Sequence, residues 1–163
     1  QTRVLLEKSQ EQAEQMQSQE EEMRQNMEEL LATQEEMARK ETEMGSRMNA
    51  ISGLVLMMEY DSDGVIISAN SKLCGTTGYS AENLIGKHHS IIFENKDYAS
   101  QESYKKFWEM MRGGKSYEGL MKRKTSTNEI IMIKTFAQPV FDDNGALFKV
   151  IEIGVEVNEF LKS

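Results

Sequence analysis

No glycine, proline or aromatic residue occurs before Gly45, which leaves the first part of the chain almost no means of folding on itself. Without turn formers or aromatic side chains it cannot close around a core, and its Glu, Gln, Met, Ala and Leu content strongly favours helix. At ~1.5 Å per residue, a continuous helix up to Gly45 would extend roughly 65 Å. All the aromatic residues and the single proline, Pro139, lie beyond Met48. Residues 1–48 are therefore read as a helical connector and residues 49–163 as a globular domain.

Met16, Met23, Leu30, Met37, Met44 and Ile51 recur every seven residues. A companion series four residues on reads Glu20, Met27, Gln34, Glu41 and Met48, with Ala13 ahead of it. Taken as d and a positions of a heptad, these give a wholly apolar d layer and a half-polar a layer. A helix this long would overrun its own domain, so the expectation is a homodimer through a parallel coiled coil. Its core would be Met16, Met23, Met27, Leu30, Met37, Met44 and Met48. Methionine specifies packing weakly and the polar a positions weaken any one register, which suits signalling better than scaffolding. Over residues 1–12, where the pattern is thinnest, a solvated disordered run is the alternative.

Charge narrows the partners. Lys plus Arg is 19 against 27 for Asp plus Glu, a formal net charge of −8, so a basic footprint for nucleic acid is missing. The lone cysteine, Cys74, excludes an internal disulfide framework and a multi-cysteine zinc site, and fits a reducing compartment. No apolar run approaches the ~18–20 residues that span a bilayer, and the beginning lacks signal-peptide character. A cytoplasmic segment is expected, from a parent protein free to be membrane-anchored.

From Ile51 onward, short apolar segments alternate with turn signals, the pattern of an α+β domain. Leu54 to Glu59 and Val65 to Ala69 read as strands joined by the turn Asp61-Ser62-Asp63-Gly64. Asn70 to Thr77 and Ser80 to Ile85 read as short helices, and Tyr98 to Met111 as the main helix, ending at Gly113-Gly114. Tyr117 to Lys124, Glu129 to Val140 and Leu147 to Val157 complete five antiparallel strands, with the helices inserted between the second and third.

These residues carry a resemblance. Asp61 to Gly64 followed by Ile67 and Asn70, then Gly78-Tyr79-Ser80 with Glu82, Leu84, Ile85 and Gly86, then Tyr104 with Phe107-Trp108, stand in the order and spacing of a PAS domain. Gly114, Gly119, Arg123, Pro139-Val140 and Asp142 to Gly145 continue the match. The stretch from about Ile51 to Asn158 resembles the PAS modules of bacterial chemoreceptors and sensor histidine kinases. Gln17 to Lys40 resembles the connectors that link sensory modules in those proteins. The family often closes with Asp-Ile-Thr where its chain leaves for an output domain, and here Glu156-Val157-Asn158 stands in that place. The resemblance implies that Glu156 and Asn158 mark the signal exit, with Glu156 anchored by a salt bridge or hydrogen bond. It also implies signalling domains fused upstream and downstream.

No residue pattern suggests catalysis. A phosphate loop, a Gly-x-Ser-x-Gly elbow and a zinc-spaced Cys/His set are all missing. His88 and His89 are the only histidines, and adjacent side chains on a regular element point apart, so no metal site is expected. The resemblance raises haem ligation by one of them, and flavin, as rivals. The reactive cysteine of light-sensing relatives would fall in Gly86-Lys87-His88-His89, where there is none. Cys74 reads as a small buried apolar residue.

A PAS-like sheet cups its helices, which implies a cavity for a small-molecule ligand. Aligned on Pro139, alternation sends Ile131, Ile133, Thr135 and Ala137 inward and Ile130, Met132, Lys134 and Phe136 outward. Met121 and Arg123 face inward, and Phe93, Tyr104 and Trp108 close the opposite wall. Each of these pocket candidates could equally fill a core. An inward arginine needs an acidic or ligand partner, and Glu152 is the candidate. The outward row Ile151, Ile153, Val155 and Val157 is too apolar for a solvated face. The resulting expectation is a sensory or signal-relay segment without cofactor. A constitutive dimerisation spacer, or a haem or flavin sensor, stands as the alternative.

Overall fold

The computed structural model describes residues 2–95, 97 and 101–157. The chain divides into two compact units, residues 1–48 and 49–163. Helix α1, Thr2–Ser52, has no buried residue. Intrahelical ion pairs lace its surface: Arg24 to Glu21 and Glu28 at 2.5 and 2.6 Å, and Lys40 to Glu36 at 3.1 Å. Such exposed pairs contribute little to stability, because water screens them. The helix does not stop at Gly45, because one glycine costs about 1 kcal/mol and no second breaker follows until Gly53.

Residues 49–163 form a five-stranded antiparallel sheet with helices inserted after its second strand. The elements are β1 (Leu56–Asp61), β2 (Ile66–Ala69), α2 (Ser71–Thr77), α3 (Ala81–Leu84), a 3₁₀ turn (His89–Ile92), α4 (Glu102–Arg112), β3 (Tyr117–Lys124), β4 (Ile130–Phe141) and β5 (Leu147–Glu156). The strand order is β2-β1-β5-β4-β3, so the first and last strands meet at the centre. The sequence reading starts the main helix at Tyr98, which lies outside the described residues, and it passes over the 3₁₀ turn.

Two aspartates build matching turns. Asp61 Oδ1 accepts from the Asp63 and Val65 amides, and Asp142 Oδ1 from those of Asn144 and Ala146, each at 2.9 Å. Such side-chain turns fix where β1 and β4 reverse. Gly64 closes the first with φ +81, and a Cβ there would come within 2.7 Å of His88 Nε2. The glycine thus supplies both the left-handed turn and the room for a histidine.

Alternation then sorts the sheet. Leu56, Met58, Tyr60, Ile133, Ala137 and Val150 face inward onto Trp108, Phe107 and Met111 of α4. Outward, Ile130, Phe136 and Val155 remain exposed beside the half-buried Met132, Ile151 and Ile153. The Glu59–Lys149 and Glu118–Lys134 ion pairs, at 2.8 and 3.1 Å, are set among them.

Candidate functional site

The inward face carries an ion pair at its centre. Arg123, near the end of β3, is 3% exposed, and its Nη2 donates to Glu152 Oε1 at 2.5 Å. The same nitrogen reaches Met121 Sδ at 3.1 Å, and the guanidinium lies 5.1 Å from the Phe93 ring centroid. Tyr60 Oη donates to the other Glu152 oxygen at 3.1 Å. Burial, with Glu152 beside it, holds the Tyr60 phenol well above its ordinary pKa, so it remains a donor. Arg123 and Glu152 neutralise one another, which removes the electrostatic reason for an anionic ligand at Arg123.

Beside this pair, two histidines meet one tyrosine. His88 is the last extended residue before the 3₁₀ turn and His89 the first within it. That change of direction brings His88 Nε2 and His89 Nε2 to Tyr104 Oη at 3.0 and 2.9 Å. The expectation that adjacent histidines diverge is corrected here, because it holds within one regular element and not across its boundary. His89 is 2% exposed. Burial first, then Arg123 and His88, drive its pKa well below the ordinary value; burial also lowers that of His88. Both imidazoles stay neutral near neutral pH.

Around them Tyr60, Phe93, Phe107 and Trp108 pack at ring separations of 4.3 to 6.1 Å. The space they leave is a cavity of about 10 Å³ lined by His89, Phe93, Tyr104, Phe107, Met121, Arg123 and Glu152. That is about the room for one water molecule. A wider open cleft of about 490 Å³ runs along the β3 edge, lined by Phe93, Met121 and Arg123 together with Leu120, Lys122 and Met132.

Of the pocket candidates, Phe93, Met121 and Arg123 line both spaces and Tyr104 the smaller one. Trp108, Ile131, Ile133 and Thr135 line neither. The first three pack in the core, and Thr135 Oγ1 is buried with no hydrogen-bond partner among the described residues. The coiled-coil positions Met16, Met23, Met27, Leu30, Met37, Met44 and Met48 are all exposed along α1. Among the described residues no ion pair or side-chain hydrogen bond is given for Glu156. Its strand position pairs with Ile133 on the inward face, whereas neighbouring Lys134 points outward and pairs with Glu118. Asn158 lies outside the described residues.

Asn70 is the functional side chain that the sequence reading named only as a motif residue. Its Oδ1 accepts from the Met57 and Leu73 amides, at 3.0 and 2.9 Å, and its Nδ2 donates to the Ser52 and Val55 carbonyls, each at 2.8 Å. One side chain thus joins the end of α1, the start of β1 and the N-terminus of α2. Its place just after a strand and before an apolar helix was the available signal, but only for a cap.

Among the described residues no group of three or more His, Cys, Asp or Glu is placed to hold a metal. No described helix is long and apolar enough to cross a membrane.

The model of the PAS domain family matches residues 51–159. This chain belongs to the PAS domain family. PAS domains are sensory modules rather than catalytic ones, which gives this segment a sensory role in signal transduction. The chain is 31% identical over 111 residues to the biofilm dispersion protein BdlA of Pseudomonas aeruginosa, covering 68% of this chain and 26% of that protein. It therefore spans about a quarter of that relative. Among solved structures, the PAS domain of a Colwellia psychrerythraea protein superposes with a TM-score of 0.63 at 16% identity, covering 71% of this chain and 98% of that one. A light-oxygen-voltage domain studied with a flavin analogue gives 0.57 at 17% identity, covering 72% and 92%. These likenesses establish the PAS fold.

Proposed function

We propose that this PAS segment is a signal relay within a bacterial signal-transduction receptor. It dimerises through a parallel coiled coil of α1 and passes a conformational signal to an effector fused beyond its C-terminal end. Catalysis, nucleic-acid binding and a chromophore form no part of this reading, and its place is the cytoplasm, whether or not the parent protein is membrane-anchored. The observation that carries it is the apolar d row from Met16 to Met44, exposed along α1 in a helix whose last residue is held by Asn70. An exposed row of that length calls for a partner, and a second copy supplies the same row in register. Ligand binding, or a shift in α1, would then bias one of two packings. BdlA, a biofilm dispersion protein, supports a signalling context.

Leu30→Cys tests the reading. In a parallel dimer the two substituted positions face each other at d, and dilute oxidised protein should cross-link to itself. Met16→Cys completes the test, because an antiparallel pair centred near residue 30 would also bring residue 30 to itself: cross-linking at residue 30 but not of residue 16 with itself would mean an antiparallel pair, and none at either position a monomeric helix. The small cavity favours a second reading, a dimerisation spacer whose core takes no ligand; an unchanged effector output after cavity substitutions in the full receptor would select it.

A further inference from the structure

The sheet has two edges, and they are finished differently. Along β2, the Ile66 amide donates to the Lys87 carbonyl at 2.8 Å, the Gly86 amide donates to the Ile66 carbonyl at 2.9 Å, and Val65 bridges to His88. Along β3, the bridge found among the described residues besides the pairing with β4 is Phe93 with Arg123, at the far end. The register shows which backbone groups lie open. The Thr125 amide donates to the Glu129 carbonyl at 2.8 Å, continuing the β3–β4 register by one step. Antiparallel bonding alternates, so the odd-numbered residues of β3 turn their N–H and C=O groups to β4, and Glu118, Leu120 and Lys122 turn theirs to the edge. On the other side of β4 the Val157 amide donates to the Met132 carbonyl, which fits the same alternation. Glu118, Leu120 and Lys122 are all exposed, Leu120 at 62%, and their side chains share the outer face of the sheet. No register shift interrupts the pairing of β3 with β4.

We infer that the β3 edge is a self-association site, pairing antiparallel with β3 of a second copy of the chain about a two-fold axis at Leu120. Such a contact is isologous, so each interaction is made twice. It sets Leu120 opposite its own copy and Glu118 opposite Lys122 of the second copy. All of these residues face the edge, so the Leu120 pair exchanges both of its N–H···O bonds and the flanking pairs extend the ladder. Lysine on an edge ordinarily repels another strand; here Glu118, on the same face, supplies the matching charge. Sliding the register by two residues either way sets Leu120 against Lys122 or Glu118, which leaves one favoured register. Within the chain, Glu118 meets Lys134 at 3.1 Å and Lys122 meets Glu94 at 3.5 Å. Both are exposed pairs that water screens, and they leave the two charges open to a further partner. A partner strand of one charge would satisfy one end of the pattern, whereas a second copy satisfies both. So short a strand makes a small contact, of the weak and transient class. This contact is separate from the pairing of α1, which the Leu30→Cys and Met16→Cys cross-links decide.

Zero-length cross-linking of the whole chain tests the inference. A carbodiimide joins a carboxylate to an amine where the two touch, and mixing unlabelled with nitrogen-15-labelled chains marks the links that form between copies. The expected product joins Glu118 of one isotope to Lys122 of the other, and it should grow with protein concentration. Leu120→Lys keeps both reactive groups but places like charges at the axis, and should lose the link. Because Leu120 is exposed, that variant should melt as the wild type does. Absence of the mixed-isotope product at every concentration would overturn the inference. So would a link undiminished in Leu120→Lys, or a mixed-isotope product joining Glu118 to Lys124 in its place.

Discussion

The Asn70 carboxamide nitrogen donates to the Ser52 carbonyl oxygen at 2.8 Å, so the last residue of α1 hangs on the side chain that caps α2. Ser52 Oγ accepts from the same nitrogen at 3.2 Å. Displacing the end of the helix therefore strains the cap and the first strand together.

Asn70→Ala should lose that clamp and cost about 2–3 kcal/mol, the sum of a lost cap and of backbone groups left unpaired. Asn70→Asp keeps the acceptor for Met57 and Leu73 but loses the donor to Ser52 and Val55. It should melt between the wild type and the alanine variant, while amide exchange in residues 53–57 rises as far as in Asn70→Ala. Unchanged exchange in the aspartate variant would show that the helix end is held by something else.

The Arg123–Glu152 pair predicts a non-additive set. Arg123→Met alone leaves a buried carboxylate and should cost about 3–5 kcal/mol. Adding Glu152→Leu and Tyr60→Phe removes the orphaned charge and the orphaned hydroxyl together, and should recover most of the loss in denaturant melts. A triple variant less stable than Arg123→Met would mean the network contributes net stability beyond the pairing of its charges.

Stability should depend on pH through His89. Its folded pKa lies well below the ordinary value, whereas the unfolded chain takes up the proton near pH 6.5. Above that pH both states are neutral and nothing is lost. Below it the unfolded state binds the proton first, so stability should fall steadily as the pH drops toward the folded pKa. His89→Phe should flatten this acid limb, measured as the denaturation midpoint across the range. An equally steep limb in that variant would assign it to other groups.

At the helix, Glu41→Leu replaces a polar residue at an a position. The melting temperature of the associated form should rise, and rise more at higher protein concentration, because dimerisation and folding are linked. A concentration-independent or lowered melting temperature would place Glu41 off the seam.

Much of this was legible in sequence because it follows from period and local turn chemistry. The inward and outward rows of β4 follow from alternation, and β3 begins and ends where Tyr117 and Lys124 suggested. Glu152 could be named as the partner of Arg123 because an inward arginine on a five-stranded sheet has few acidic neighbours. The meeting of His88 and His89 was not legible, since it depends on one residue being extended and the next turning. Nor was the cavity volume, which depends on how Phe93, Phe107 and Tyr104 interlock across elements far apart in sequence.

The central pairing of β1 with β5 sets Leu56 opposite Gly154. Antiparallel partners are separated by only about 4.5–5.5 Å, so the path of the chain through this fold begins and ends at nearly one point. Excising residues 57–153 would leave ends that a single peptide unit could nearly bridge, so the sheet and its helices can be gained or shed at one point of the chain while the residues on either side keep their places.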